Sequence, residues 1–328
     1  VKIDCNLVLL PSDLIYTRLE FIGADSSNVH LDCRCEDGPQ GQCARIVNPF
    51  TLKQMDDFEN DQIMGGEPAM LTFRPARCGL NRIEETGEFV DAIGAIAPSC
   101  DPVTGVKVSR CEIHGRITAR SFSGDMALYS SPRADHVQRL RASAAQHLTF
   151  SEVKIIGQYR TPVHMLPGVH HVTVEDSQIR GGQYYSTVYL PADGGFNTLI
   201  NNEIWGQSVT WNADLEKPRG SRREAIAIDS SEHNRIINNR FKRMPYGGIF
   251  LFRNCGERSM IRHRPAQYNQ IINNVFDFGG NDPGHPTVHI GSRDDDSLSG
   301  WGVKSYCDKD LAPGNSPYMG NQTRFPWD

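Results

Sequence analysis

His164 and Tyr189 occupy the same internal position in two short apolar segments, which would place a proton-accepting imidazole beside a phenol. Three further segments share the pattern, with apolar second and fourth residues that suit the buried side of a strand. The five segments are residues 162–166, 187–191, 225–229, 248–252 and 287–291. Their middle residues, which we call the central row, are His164, Tyr189, Ala227, Phe250 and His289.

Charged side chains follow the same segments. Asp229 stands two residues beyond the central row, and Arg253 and Arg293 come just after their strands. A guanidinium group binds two oxygens of a carboxylate or sulfate in one plane, so this face is a candidate active site for an anionic ligand. We expect room for that ligand above the small residues Ala225, Ala227 and Gly248. The alternative is an ordinary packed surface, with Asp229 capping a turn.

Basic residues are concentrated between 217 and 264, where twelve Lys and Arg face four acids, although the whole chain carries a net charge of -5. Such a patch favours an anionic ligand, or is simply a solvated face. Tyr246, followed by two glycines, is a second candidate for the phenolic acid or base. The expected substrate-binding residues are Arg222, Arg223, Arg258, Arg262, His263, His289 and Arg293.

Internal repeats indicate which elements would position these side chains. The sequences NTLINNEI, NRIINNRF and NQIINNVF begin at residues 197, 234 and 269, and weaker copies begin at 171 and 147. Segments near 106 and 28 resemble earlier copies. Each unit reads as a short strand, a polar pair and another short strand, too small to bury its apolar face alone. Stacked units would bury a continuous core. Paired asparagines suit tight turns and hydrogen-bonded ladders.

This pattern resembles the right-handed parallel β-helix proteins of the pectin-lyase-like superfamily, over residues 28–289. The resemblance implies an all-β solenoid, and we expect a single domain over residues 1–328. Regular coils should occupy about residues 28–290, with an irregular tail at 301–328. Residues 131–146 favour a loop with one helical turn, and residues 54–64 an acidic loop or short helix.

The same resemblance implies an enzyme acting on an acidic polysaccharide. A lyase would use Tyr189 and His164 as acid and base, with Arg253 or Arg293 holding the substrate carboxylate. An epimerase would use the same groups. A hydrolase would use Asp229 with an aspartate of the 294–296 run, which also suits calcium or a solvated loop. A non-catalytic glycan-binding module remains the fourth alternative. The signature motifs of the best-known pectin-active families are absent.

Composition narrows the class of protein. The chain has 328 residues, 38% hydrophobic, and no apolar run long enough to span a membrane. The acidic balance and the scarcity of aromatics in the basic segment argue against nucleic acid. Nine cysteines without zinc-binding spacing favour disulfides in a secreted or periplasmic protein. We expect a monomer with no membrane partner and no cofactor other than calcium.

Overall fold

The chain forms a parallel β-helix, as the repeats predict. In a computed structural model, we describe residues 1–36, 42–48, 69–76, 80–82, 89–91, 101–121, 136–158, 160–181, 185–206, 223–244, 247–253, 263–279 and 286–292. Within these ranges, three parallel sheets of eight strands run around a common axis. The 54–64 segment and the 301–328 tail lie outside the described residues.

The strands are short, mostly three to six residues. In chain order they begin with β1 (Leu7–Leu9), β2 (Leu14–Ile15), β3 (Leu19–Ile22), β4 (His30–Cys33), β5 (Arg45–Val47), β6 (Ala69–Arg74), β7 (Leu80–Arg82), β8 (Phe89–Asp91), β9 (Lys107–Ser109), β10 (Glu112–His114), β11 (Arg116–Ala119), β12 (Gln146–Ser151) and β13 (Lys154–Ile156). They continue with β14 (Val163–Met165), β15 (His170–Glu175), β16 (Gln178–Arg180), β17 (Val188–Leu190), β18 (Thr198–Ile200), β19 (Glu203–Trp205), β20 (Ile226–Asp229), β21 (Arg235–Ile237), β22 (Arg240–Lys242), β23 (Ile249–Arg253), β24 (Gln270–Ile272), β25 (Val275–Asp277) and β26 (Val288–Ser292).

Each coil contributes one strand to each sheet. The first sheet has the order β1-β4-β9-β12-β15-β18-β21-β24, and the second has the order β2-β5-β10-β13-β16-β19-β22-β25. The third sheet has the order β3-β6-β11-β14-β17-β20-β23-β26. Outside the coils, β7 and β8 form an antiparallel pair. A 3-10 turn covers Ala24–Ser26, and the helix α1 (His136–Ser143) falls within the predicted helical segment.

The core is a stack of apolar side chains facing inward from all three sheets. In the third sheet, the second and fourth positions of the aligned segments are buried through β23. The last strand differs, because Val288 and Ile290 are exposed by 37% and 60%. Except at this last strand, the alternation in the sequence correctly predicts which side chains face inward, since successive side chains point to opposite sides of a strand.

Two buried asparagine ladders hold successive coils in register, as the paired asparagines predict. In one, Asn197 Nδ2 donates to Asn234 Oδ1 (2.9 Å), and Asn234 Nδ2 donates to Asn269 Oδ1 (2.8 Å). In the other, Asn202, Asn239 and Asn274 repeat the arrangement at 3.0 Å per step. The Asn side chains also accept backbone N–H groups of the preceding coil, so they satisfy buried polar groups at both ends of the first sheet.

Exposed rings stack on one another at the corner where the chain enters the first sheet in successive coils. Neighbouring ring centroids lie 4.7 to 5.1 Å apart. Every member has a positive φ between 52° and 56°, which the corner imposes and which costs energy for non-glycine residues. The stack, which we call the outer ring ladder, consists of His147, His171, Phe196, His233 and Tyr268.

Disulfides confirm the prediction made from the cysteine content. Cys33 and Cys111 are bonded in the buried core, and Cys35 is bonded to Cys43. Cys5 is a free, exposed thiol. The four cysteines at 78, 100, 255 and 307 lie outside the described residues. No helix in the described part of the chain has the length and apolar character needed to cross a membrane.

Replacing Asn239 with alanine should destabilise the fold strongly. The buried side chain accepts two hydrogen bonds from Asn202 and donates to Leu199 O and to Asn274 Oδ1. Because its partners would be left buried and unsatisfied, we expect a loss of about 3 kcal/mol in the free energy of unfolding. Denaturant titration measures this change in the free energy of unfolding. The control is Asn238→Gly at the adjacent exposed, positive-φ position, where a change within about 0.5 kcal/mol is expected. Equal losses in both variants would contradict the role of the ladder.

Candidate functional site

The outer face of the third sheet carries the central row in the predicted register. His164 lies opposite Tyr189, Tyr189 opposite Ala227, Ala227 opposite Phe250, and Phe250 opposite His289. Adjacent strands are about 4.8 Å apart, so a single sugar residue could span two members of the row. The His164 and Tyr189 rings have centroids 5.5 Å apart and are tilted by 55°.

Tyr189 is tied to the carboxylate of the next coil. Its hydroxyl donates to Asp229 Oδ2 at 2.6 Å, while Ser230 Oγ donates to Asp229 Oδ1 at 3.3 Å. Asp229 and Ser230 are both fully buried. The short contact orients the phenol, because a carboxylate is a strong, fixed acceptor.

His164 has an unusual electrostatic environment. The side chain keeps partial exposure, but the protein atoms around it desolvate the imidazole. This burial, followed by the positive charges of Arg116, Arg120 and Arg160, holds the pKa of His164 well below its usual value. The imidazole is therefore neutral at neutral pH and carries a lone pair that can accept a proton.

Sequence reasoning missed the three arginines and Thr118. Arg116 is the first residue of β11 and Arg120 follows the strand, whose Thr118 extends the central row by one coil, next to His164. Thr118 Oγ1 is buried and has no hydrogen-bond partner among the described residues. Aligning the sequence RITAR, residues 116–120, with the five segments would have found this coil, since Ile117 and Ala119 supply its inward positions.

The expectation of ligand space above the small residues is wrong. Ala227 is buried in an apolar cluster with Phe250 and Phe252, and Tyr189 packs against it. A side chain at Gly248 would approach the backbone oxygen of Thr287 to 2.2 Å, so this glycine serves close packing of coils. The C-terminal half of the central row is therefore filled, and the polar half from Thr118 to Tyr189 is the candidate site.

The other predicted site residues that the structure describes are buried, paired or packed against a neighbour. Arg253 is 1% exposed at the end of β23, and His263 is fully buried. Arg223 donates to both carboxylate oxygens of the neighbouring Glu224, at 3.2 and 3.3 Å. His289 packs on Phe250, with centroids 5.4 Å apart. The predicted Tyr246, Arg222, Arg258, Arg262 and Arg293, and the 294–296 run, lie outside the described residues.

The basic segment does not form one patch among its described members. Arg235 projects from the first sheet, Arg240 and Lys242 from the second, and Arg253 lies in the third. A run of charges along the chain is distributed around the coil, because each coil passes through all three sheets. Among the described residues, no group of three or more His, Cys, Asp and Glu has a metal-binding arrangement.

Comparison with known proteins gives only remote structural likenesses. No protein-family model and no curated protein matches the sequence. ORF18 of Geobacillus virus E2 is similar over 89% of this chain, with 12% identity and a TM-score of 0.34. The A-module of the mannuronan C-5 epimerase AlgE4 from Azotobacter vinelandii is similar over 86%, with 11% identity and a TM-score of 0.28. The chain spans 50% of the viral protein and 78% of the epimerase module. At such scores neither likeness bears on activity.

His164 should make the fold sensitive to acid. Its folded pKa is depressed, so below the ordinary value of 6.5 the unfolded chain binds a proton that the folded chain does not. Stability therefore falls as the pH decreases, with a slope approaching about 1.4 kcal/mol per pH unit for this group. His164→Asn should make the loss between about pH 7 and pH 5 shallower. Denaturant titrations across this range measure the slope, and parallel curves for the two proteins would contradict the assignment.

Proposed function

We propose that the polar half of the central row cleaves a uronate-containing polysaccharide by β-elimination. The observation that carries the proposal is a neutral imidazole surrounded by three arginines and packed beside the pair Tyr189–Asp229. The two disulfides fit an oxidising compartment, so we also propose a secreted or periplasmic location.

The reaction needs three groups, and this face supplies each type. The arginines near His164 would neutralise the uronate carboxylate and stabilise the charge that develops when the C5 proton leaves. His164 accepts that proton, and the electron pair forms the C4–C5 double bond as the C4–oxygen bond breaks. Asp229 fixes the resting position of the phenol, and the Tyr189 hydroxyl then shifts its hydrogen bond from Asp229 to the leaving oxygen and donates its proton there. Elimination leaves a Tyr189 phenolate and a His164 imidazolium, so before the next turnover Tyr189 takes a proton from water and His164 releases one to water.

A bound substrate carboxylate would also raise the pKa of the base, His164. The pKa of His164 is low partly because of Arg116, Arg120 and Arg160, so an anion bound among them offsets their charge. The imidazole then becomes a stronger base when substrate is present. This coupling would limit proton abstraction to anionic substrates.

Epimerisation at C5 is the second candidate, because it begins with the same proton abstraction. Tyr189 and His164 lie on adjacent strands and could act on opposite faces of the sugar ring, with one removing and the other returning a proton. The two reactions differ in product, since epimerisation forms no double bond and incorporates solvent hydrogen at C5.

Hydrolysis has less support among the described residues. On the strands of the third sheet, the outward carboxylates are Asp229 in β20 and Glu20 in β3, which are five strand spacings apart. That is about 24 Å, whereas glycosidases place their carboxyl groups about 5 to 9.5 Å apart.

Tyr189→Phe should abolish elimination while leaving the fold intact. We expect turnover to fall by at least about 100-fold, because the phenyl ring keeps its packing but has no proton to donate. Ultraviolet absorbance of the unsaturated product, measured on alginate, pectate, glycosaminoglycans and glucuronans with and without calcium, reports the reaction. The matched control is Tyr16→Phe, which removes the hydroxyl of an exposed tyrosine in the first coil. Equal activity of the two variants would exclude Tyr189 as the acid.

Asp229→Asn should separate elimination from hydrolysis. An amide oxygen still accepts the Tyr189 hydrogen bond, so elimination should fall by no more than about tenfold. A hydrolase that uses Asp229 would lose its activity completely.

The products of the wild-type protein decide among the alternatives. New reducing ends without a double bond would replace elimination by hydrolysis. Deuterium incorporated at C5 without cleavage would indicate epimerisation. A polysaccharide that binds without any of these products would indicate a glycan-binding module.

A further inference from the structure

A second cationic cluster lies on the outer face of the second sheet, around Trp205. Trp205 in β19 is in register with Arg180 in β16 and Lys242 in β22. The Arg180 guanidinium carbon and the Lys242 ammonium nitrogen each lie 5.2 Å from the indole ring centroid, and the Arg243 guanidinium carbon lies at 5.5 Å. Three cations therefore surround one half-buried indole.

Two carboxylates lie in or next to the cluster: Glu203 in β19, and Asp277 in β25, which is in register with Lys242. Glu203 accepts a hydrogen bond from Trp205 Nε1 at 2.6 Å and forms a salt bridge with Lys242. Arg180 and Arg243 form no salt bridge and no side-chain hydrogen bond with any described residue. The N–H donors of both guanidinium groups thus remain unoccupied by described residues next to the same ring, although the Glu203 carboxylate interacts electrostatically with Arg180.

Cation–π contacts hold these guanidinium groups in place without neutralising them. The indole attracts each cation through its ring quadrupole and does not occupy the fork of N–H donors. An arginine fixed in this way has lost part of its freedom before a ligand arrives, which lowers the entropic cost of binding. The free forks suit planar carboxylate groups or the oxygens of a sulfate.

We propose that Arg180 and Arg243, positioned by Trp205, bind the carboxylate or sulfate groups of an acidic polysaccharide outside the catalytic face. The location fits an extended polymer, because Thr187 Oγ1 donates to Trp205 O at 3.0 Å and Thr187 immediately precedes β17, the strand of Tyr189. The cluster and the phenol therefore lie on connected coils. That the bound polymer is also the substrate rests on the proposed function, whereas binding at the cluster does not.

Trp205 provides a direct signal of binding. The other three tryptophans are at 211, 301 and 327, so a Trp211→Phe/Trp301→Phe/Trp327→Phe background leaves Trp205 as the sole indole. The probes are galacturonate and mannuronate hexamers, a sulfated glycosaminoglycan hexamer, inorganic sulfate and the neutral maltohexaose. We expect the acidic hexamers to change Trp205 fluorescence at low salt, with binding that weakens as salt is added.

Arg180→Gln/Arg243→Gln in this background should weaken binding of the acidic hexamers at least about tenfold, because two charge-assisted donors are lost. The matched control is Arg45→Gln/Arg235→Gln, which lowers the net charge by the same amount. Arg45 projects from the second sheet four strand spacings from Trp205, about 19 Å away, and Arg235 projects from the first sheet. This control should bind within about twofold of the parent protein. Thermal unfolding of each variant verifies folding.

Three results would overturn the proposal. Equal weakening in the control would mean that the overall charge attracts the ligand. Equal binding of maltohexaose would mean that the ring binds sugars without regard to charge, and no response to any anion would mean that there is no site. Tyr189→Phe separates the two proposals, since it should remove elimination and leave Trp205 binding unchanged. Binding that depends on Arg180 and Arg243 without elimination by the wild type would refute the chemistry and preserve the site.

Discussion

Each coil must return the chain to the same three positions, because its strands hydrogen-bond to the coil before and the coil after. This requirement explains features that would be costly in isolation. Non-glycine residues adopt positive φ at the same corner of successive coils, and buried asparagines recur at the ends of the first sheet. The repeats beginning at residues 197, 234 and 269 are 37 and 35 residues apart, yet their strands align without a shift. Length differences are confined to the connections between sheets.

The same register assembles the candidate site from residues far apart in sequence. His164 and Tyr189 become neighbours because they hold the same place in adjacent coils, and Asp229 reaches the phenol from the coil beyond. Rigid strands position these groups more accurately than loops would. The apolar cluster around Phe250 closes one end of the central row, so polar chemistry is restricted to the other end. Burial, together with the positive charges of three arginines, lowers the pKa of His164 at this polar end.

Sequence periodicity was sufficient for the architecture and for the order of side chains along the central row, because both follow from alternation within strands and from the stacking of equal positions. It was insufficient to predict which side chains cover the outer face of the third sheet. Whether Ala227 borders an opening or a packed cluster depends on Phe250 and Phe252, which alternation alone does not settle. The basic segment shows a related limit, since a coil distributes its consecutive charges over three faces. Disulfide partners such as Cys33 and Cys111, 78 residues apart, likewise depend on the tertiary fold.

The outer ring ladder has a consequence for how such a protein can change over evolutionary time. Phe196 stacks between His171 and His233, and His233 between Phe196 and Tyr268, so ring contacts join neighbouring coils, and the asparagine ladders have the same nearest-neighbour character. A duplicated coil would therefore carry its own ring, its own asparagines and a complete set of partners. Gene duplication could lengthen the molecule by whole coils beyond Tyr189, and thus extend the surface available to a polymer, without altering the geometry at His164.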